Sequence, residues 1–291
     1  MLGPFFTMIE NNALYNLTKE HAPQSFRNYV RFTARSLVDV YAGFRGFNPN
    51  RALPDFLIVG AQKAGTTSLF NWLVDSGIAQ APLQKEVGYF DTRWDWPIKY
   101  RGYFDYRKSV RLIGEATPSY FAFPEVPERV SAVLGPNCKI VIVLRDPVDR
   151  SVSHYFHERR LGFEKREMYT AMIEEEGLVE EAFDKRTSAS RRRYILTHYT
   201  YVYRSMYSER LAPWFEHFDR ENILLIKSED MFKNPHEIVS SVAEFVGEKA
   251  NINTQLNARN TNSYEFEDSR VATYLKNSLS AESANFNDWA Y

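Results

Sequence analysis

Residues 55–76 read DFLIVGAQKAGTTSLFNWLVDS, and the order of residue types in this stretch decides the fold. Phe56, Leu57, Ile58 and Val59 are a short continuous apolar run, which suits a strand buried on both faces. Gly60 ends the run, and a loop with a second glycine, Gly65, follows. Thr66, Thr67 and Ser68 then open a helix in which Leu69, Trp72 and Leu73 recur at i, i+3, i+4, with Gly77 as its stop signal. A strand that turns through glycines into a helix leaves several N–H groups without intrahelical partners, all aimed at one spot. That spot is an anion site. The glycines allow close approach of the backbone, the three hydroxyls can donate, and Lys63 supplies a mobile charge.

The loop keeps the glycine spacing of a nucleotide P-loop, GxxxxGK[ST], but Thr66 stands where the lysine would be, and the lysine sits inside the loop at Lys63. GAQKAGTTSL after a strand resembles the 5′-phosphosulfate-binding loop of sulfotransferases that use 3′-phosphoadenosine-5′-phosphosulfate (PAPS). It is most similar to the branch of heparan sulfate N- and 3-O-sulfotransferases and their bacterial relatives. The resemblance implies an α/β, P-loop-like three-layer fold, a central parallel sheet flanked by helices. It also implies cofactor contacts from Gln62, Lys63, Ala64, Gly65, Thr66, Thr67 and Ser68.

Residues 139–162 give the second strong signal, KIVIVLRDPVDRSVSHYFHERRLG. Residues 140–144 are another fully apolar run, hence a central parallel strand beside the first. Arg145 ends it, Asp146-Pro147 breaks it, and a helix carrying Ser153 follows. An arginine at a strand end can grip a phosphate bidentately, and a serine one turn into the next helix can donate to the same group. This RxPxxRxxS spacing resembles the family's 3′-phosphate-binding element, with the contacts on Arg145 and Ser153. His154 and His157 invite a metal reading, but without a third ligand they are read as surface polar residues.

QKEVGYFD at 84–91 returns to the carboxyl edge of the sheet, where ligands of open α/β folds bind. Lys85-Glu86 is either a solvated surface pair or part of the site. The segment resembles the family's KExx[FY]FD, which makes Glu86 the base that takes the acceptor's proton and Lys85 a substrate contact. Relatives often carry histidine where Gly88 stands. In RLIGEATPSY (111–120), Glu115 and Thr117 are either acceptor contacts in the cleft or strand-end caps. The aromatic strip at 94–106 is either a core flap or a sugar-stacking surface. The charged segment 163–193 reads as a solvated helical excursion whose triple arginine, 191–193, could meet an anionic acceptor or anionic lipid. Residues 251–263 form a loop in which Arg259 is the only match to the family's lysine- and arginine-bearing cofactor loop.

The 291 residues, 44% hydrophobic and 25% charged with net charge −1, describe a globular chain and exclude a polycation built for nucleic acid. The single cysteine, Cys138, cannot form an internal disulfide and suits a reducing compartment, whereas many animal relatives carry a disulfide near the cofactor loop. No run approaches the ~18 apolar residues of a membrane span, and no signal-peptide pattern opens the chain. A cytoplasmic location is expected, with peripheral membrane contact left open by one helix. That helix, 25–44, places Phe26, Val30, Thr33, Leu37, Tyr41 and Phe44 on one face and Arg27, Arg31 and Arg35 on another. It either packs on the domain or meets an anionic membrane or acidic glycan. Residues 1–50 are thus an N-terminal helical extension and 51–291 the sulfotransferase domain. The resemblance implies a metal-independent enzyme that moves a sulfuryl group from PAPS to a glycan or small-molecule acceptor, releasing 3′,5′-adenosine bisphosphate (PAP), with Glu86 and Lys63 as catalytic residues. The alternatives are a P-loop kinase with Asp146 as the magnesium-holding carboxylate, a sulfotransferase of lipids or small natural products, and a non-catalytic anion binder.

Overall fold

The computed structural model describes residues 24–92, 96–105, 112–249, 252, 255–257 and 268–289. Among them, five strands make one parallel sheet: β1 (Phe56–Gly60), β2 (Ala79–Gln80), β3 (Leu112–Ala116), β4 (Lys139–Leu144) and β5 (Ile223–Lys227). Their order is β2-β3-β1-β4-β5. Phe56 pairs in register with Gly114 on one side and Lys139 on the other, and Ile140 pairs with Ile223. β1 is buried at all five positions and β4 at all but Lys139, as expected of apolar runs covered on both faces. From β1 the chain leaves toward β2 and β3, whereas from β4 it leaves toward β5. The crevice between β1 and β4 is therefore the topological switch point, where open α/β sheets hold their ligands.

The helices are α1 (Gln24–Gly46), α2 (Thr66–Asp75), α3 (Pro97–Arg101), α4 (Val126–Leu134), α5 (Pro147–Leu161), α6 (Met168–Ile173), α7 (Glu175–Phe183), α8 (Ala189–His198) and α9 (Tyr207–His217). They continue with α10 (Ser228–Lys233), α11 (Pro235–Phe245), α12 (Ser269–Ser278) and α13 (Ser280–Trp289). None of the described helices is long and apolar enough to cross a membrane. The α/β architecture and the central parallel sheet are those expected from the apolar runs at 56–59 and 140–144. Cys138 is buried, and burial pushes its thiol up to about 12.

α1 packs on the domain, but through a different face from the one its aromatic spacing suggests. Val38 and Ala42 are in the main core, while Leu37 is 43% and Phe44 74% exposed. The cause is a close crossing with α3. A Cβ on Gly102 would lie 1.7 Å from the Ala42 carbonyl oxygen, and one on Gly46 would lie 1.8 Å from that of Ile98. Small residues let the two backbones touch, and this contact outranks the bulkier stripe. The described part of the strip at 94–106 divides: Tyr100, Tyr103 and Phe104 are buried, with Tyr100 stacked on Tyr89 at 4.5 Å, whereas Trp96 and Ile98 are exposed.

The 163–193 segment is less solvated than its charge suggests. Glu175 is buried and accepts N–H bonds from Tyr201, Val202 and Tyr203 at 2.6–2.8 Å. The three arginines find protein partners: Arg191 with Glu181, Arg192 bidentate on Glu125 and Arg193 with Asp91. His154 and Arg150 are also buried rather than surface groups. Arg150 donates to Ser205 Oγ and the Tyr201 carbonyl, and His154 lies 3.4 Å from Glu158.

Candidate active site

A cleft of about 520 Å³ opens at the carboxyl ends of β1 and β4. Its first wall is the loop after β1, contributing Gln62, Lys63, Gly65, Thr66 and Thr67. Gly65 caps α2 with φ 96, and a Cβ there would meet Met231 Cε at 2.6 Å and Phe232 Cζ at 2.9 Å. Only glycine meets both the backbone and the packing demand. Ala64 and Ser68, expected as loop contacts, are fully buried beneath it. Gln62 is held from behind by the buried Arg204, which donates to its Oε1.

The opposite wall comes from β4 and α5: Arg145, then Asp149, Ser153, His157 and Arg160. The strand end is fixed by Tyr207, whose hydroxyl donates to the Arg145 carbonyl at 2.8 Å. α5 starts where it does because Asp146 Oδ1 caps it, accepting from the N–H groups of Val148 and Asp149, each at 2.9 Å. Ser153, His157 and Arg160 follow at i, i+4, i+7, one face of one helix. Burial pulls the Lys63 amine down to about 8, helped by the guanidinium groups of Arg160 and Arg145. Burial and Lys63 hold the His157 imidazole near 4, so it is neutral at pH 7. Lys63, Arg145 and Arg160 crowd these two walls, with Lys85 on the third side of the same cleft, and a bound polyanion would relieve them.

The third side carries Lys85, Glu86 and Pro118. Lys85 Nζ donates to Thr67 Oγ1 at 2.7 Å and stands 3.6 Å from Glu86 Oε1, tying this side to the first loop. Glu86 is half-exposed within the cleft and has φ 58. Arg145, the glycine turn and Glu86 thus face one another across a single space.

Glu115 and Thr117, placed as candidate acceptor contacts, do not reach that space, and both are buried. Glu115 accepts from Thr117 Oγ1 at 2.6 Å, from the Tyr120 hydroxyl at 2.7 Å and from the Tyr100 hydroxyl. Burial raises its pKa despite those three donors. Two of the same hydroxyls accept from the loop backbone, Thr117 from Gly88 N–H at 3.3 Å and Tyr120 from Tyr89 N–H at 2.8 Å. The cluster therefore holds the segment that follows Glu86. Arg259, expected as a further cofactor contact, lies outside the described residues.

Arg160 escaped the reading of the sequence, although its spacing from Ser153 on α5 could have revealed it. Ser228, Glu229 and Phe232 of α10 also line the cleft. They follow β5 and carried no motif, so only the strand order brings them in.

Fold and site together define a P-loop-like α/β protein with a cation-lined cleft at its switch point and a carboxylate among the residues that line it. A sulfotransferase-domain model matches residues 53–289, and the chain belongs to the sulfotransferase family. The mouse heparan sulfate glucosamine 3-O-sulfotransferase 3B1 is 27% identical over 203 residues, 69% of this chain and 47% of that protein. The human bifunctional heparan sulfate N-deacetylase/N-sulfotransferase 2 is 27% identical over 208 residues, 67% of this chain and 22% of that protein. The chain thus spans about half the length of the 3-O-sulfotransferase it matches. The crystal structure of a sulfotransferase from Alicyclobacillus acidocaldarius superposes with a TM-score of 0.62 at 24% identity, over 81% of this chain and 96% of that one, and shares the fold.

Proposed function

We propose that the chain transfers a sulfuryl group from PAPS to a hydroxyl or amine of a carbohydrate acceptor, with Glu86 as general base. The observation that carries this reading is that the glycine loop, Arg145 with Ser153, and Glu86 line one cleft. Two anion-gripping sets face each other there, as a nucleotide phosphorylated on its 5′ and 3′ sides requires. The loop and Lys63 hold the phosphosulfate end, and Arg145 and Ser153 hold the 3′-phosphate, with Arg160 adding charge.

Glu86 accepts the proton as the acceptor oxygen or nitrogen forms its bond to sulfur. The bond from sulfur to the 5′-phosphate oxygen breaks, and its electron pair stays on that oxygen. Lys63 offsets the charge that builds there. The products are the sulfated acceptor and PAP. A carbohydrate acceptor follows from the heparan sulfate relatives alone.

A kinase is disfavoured by one contact: Asp146, the carboxylate that would hold magnesium, has Oδ1 engaged in capping α5. The test is transfer of labelled sulfuryl from PAPS to heparan sulfate and to a panel of other glycans. Label in a glycan, lost in Glu86→Gln, supports the assignment. Phosphate transfer from ATP to the same panel would replace it.

A further inference from the structure

The family match begins at residue 53, yet a side chain from the helix before it touches the acceptor side of the cleft. Arg35 lies on α1, and its Nη2 donates to the carbonyl oxygens of Glu86 at 3.1 Å and Val87 at 2.9 Å. A single guanidinium nitrogen carries two hydrogens, so it can serve two neighbouring carbonyls at once. The backbone at Glu86 is in the left-handed region, φ 58, which a non-glycine residue holds only where its surroundings impose it.

Gly88 shows why the arginine fits. Its φ is +66, and a Cβ there would stand 2.9 Å from Arg35 Nη2 and 3.3 Å from Asp91 Oδ1. A guanidinium from α1 thus occupies the room that a side chain at 88 would need. From the inner side the same turn is held by Thr117 and Tyr120.

We propose that Arg35 is a positioning residue for the transfer, clamping the Glu86–Val87 backbone from the solvent side, so that the N-terminal helix completes the acceptor end of the cleft. This rests on Glu86 being the base. Arg35 does not touch the donor wall. Its loss therefore lowers kcat and leaves donor binding alone.

The full-length chain is compared with Arg35→Ala and Arg35→Lys, using PAPS as donor and heparan sulfate as acceptor probe. Arg35→Ala is expected to lose roughly ten- to a hundredfold in kcat. KM for PAPS, affinity for PAP and melting temperature stay near the parent values. Arg35→Lys, which keeps a charged donor, recovers most of the rate. Parent-level turnover in Arg35→Ala, or a loss of PAP affinity matching the loss of turnover, overturns the proposal. Hydrogen exchange of residues 85–91 decides the contact whatever reaction the cleft performs. Faster exchange in Arg35→Ala supports the clamp, and unchanged exchange overturns it. If exchange rises while Glu86→Gln keeps full activity, the clamp stands and the base assignment fails.

Discussion

The proposed donor end of the cleft is built from strand ends, a glycine turn and one helix face, while the proposed acceptor end is an irregular loop held by side chains from distant parts of the chain. At the donor end, β1 and β4 are adjacent in the sheet and deliver Lys63 and Arg145 to one space. At the acceptor end, Glu86 and Gly88 have positive φ. Their backbone is tied to Arg35 before it and to Thr117 and Tyr120 after it in sequence. The first design would fix anion geometry through backbone anchored in the sheet. The second leaves the acceptor loop dependent on a handful of hydrogen bonds, so the two ends should respond separately to mutation.

Four changes sharpen or break that division. Glu86→Gln should cost about 10²–10⁴-fold in turnover, with PAP affinity within about twofold of the parent. A matching fall in affinity would mean that the two ends are not separable. Arg145→Ala should weaken PAP binding by roughly ten- to a hundredfold, the loss of one charged hydrogen-bonding group, measured by titration. Lys63 adds a pH signature. Its folded-state pKa is lowered to about 8, so the free cleft loses a positive charge as pH rises through that value. PAP affinity should therefore fall above pH 8, by up to about tenfold per pH unit, and Lys63→Met should flatten the dependence. The smallest effect is expected from Tyr120→Phe, which removes a donor to Glu115 and the acceptor for Tyr89 N–H. It should destabilise by about 1–3 kcal/mol in thermal unfolding and slow turnover more than it weakens PAP binding.

The same division explains what the sequence discloses. Continuous apolar runs, two glycines and an arginine at a strand end announce the donor site because each is a local signature of buried strand, tight turn or phosphate grip. Glu115 misleads, since a carboxylate beside a proline turn has the same local pattern whether it faces a cleft or a buried ring of hydroxyls. One of the hydroxyls that enclose it belongs to Tyr100, which arrives on α3. α1 misleads for a similar reason, because Gly46 and Gly102 carry no apolar signal yet determine which face meets the domain. Arg35, one of several arginines on an amphipathic helix, gains its place only once that face is known.

Calorimetry with PAP and with ATP, each with and without Mg²⁺, tests the central claim most directly. The two facing anion sites predict PAP binding with a Kd on the order of micromolar, unchanged by the metal and much tighter than for ATP. Magnesium-dependent ATP binding that exceeds PAP binding, or no PAP binding at all, would contradict it.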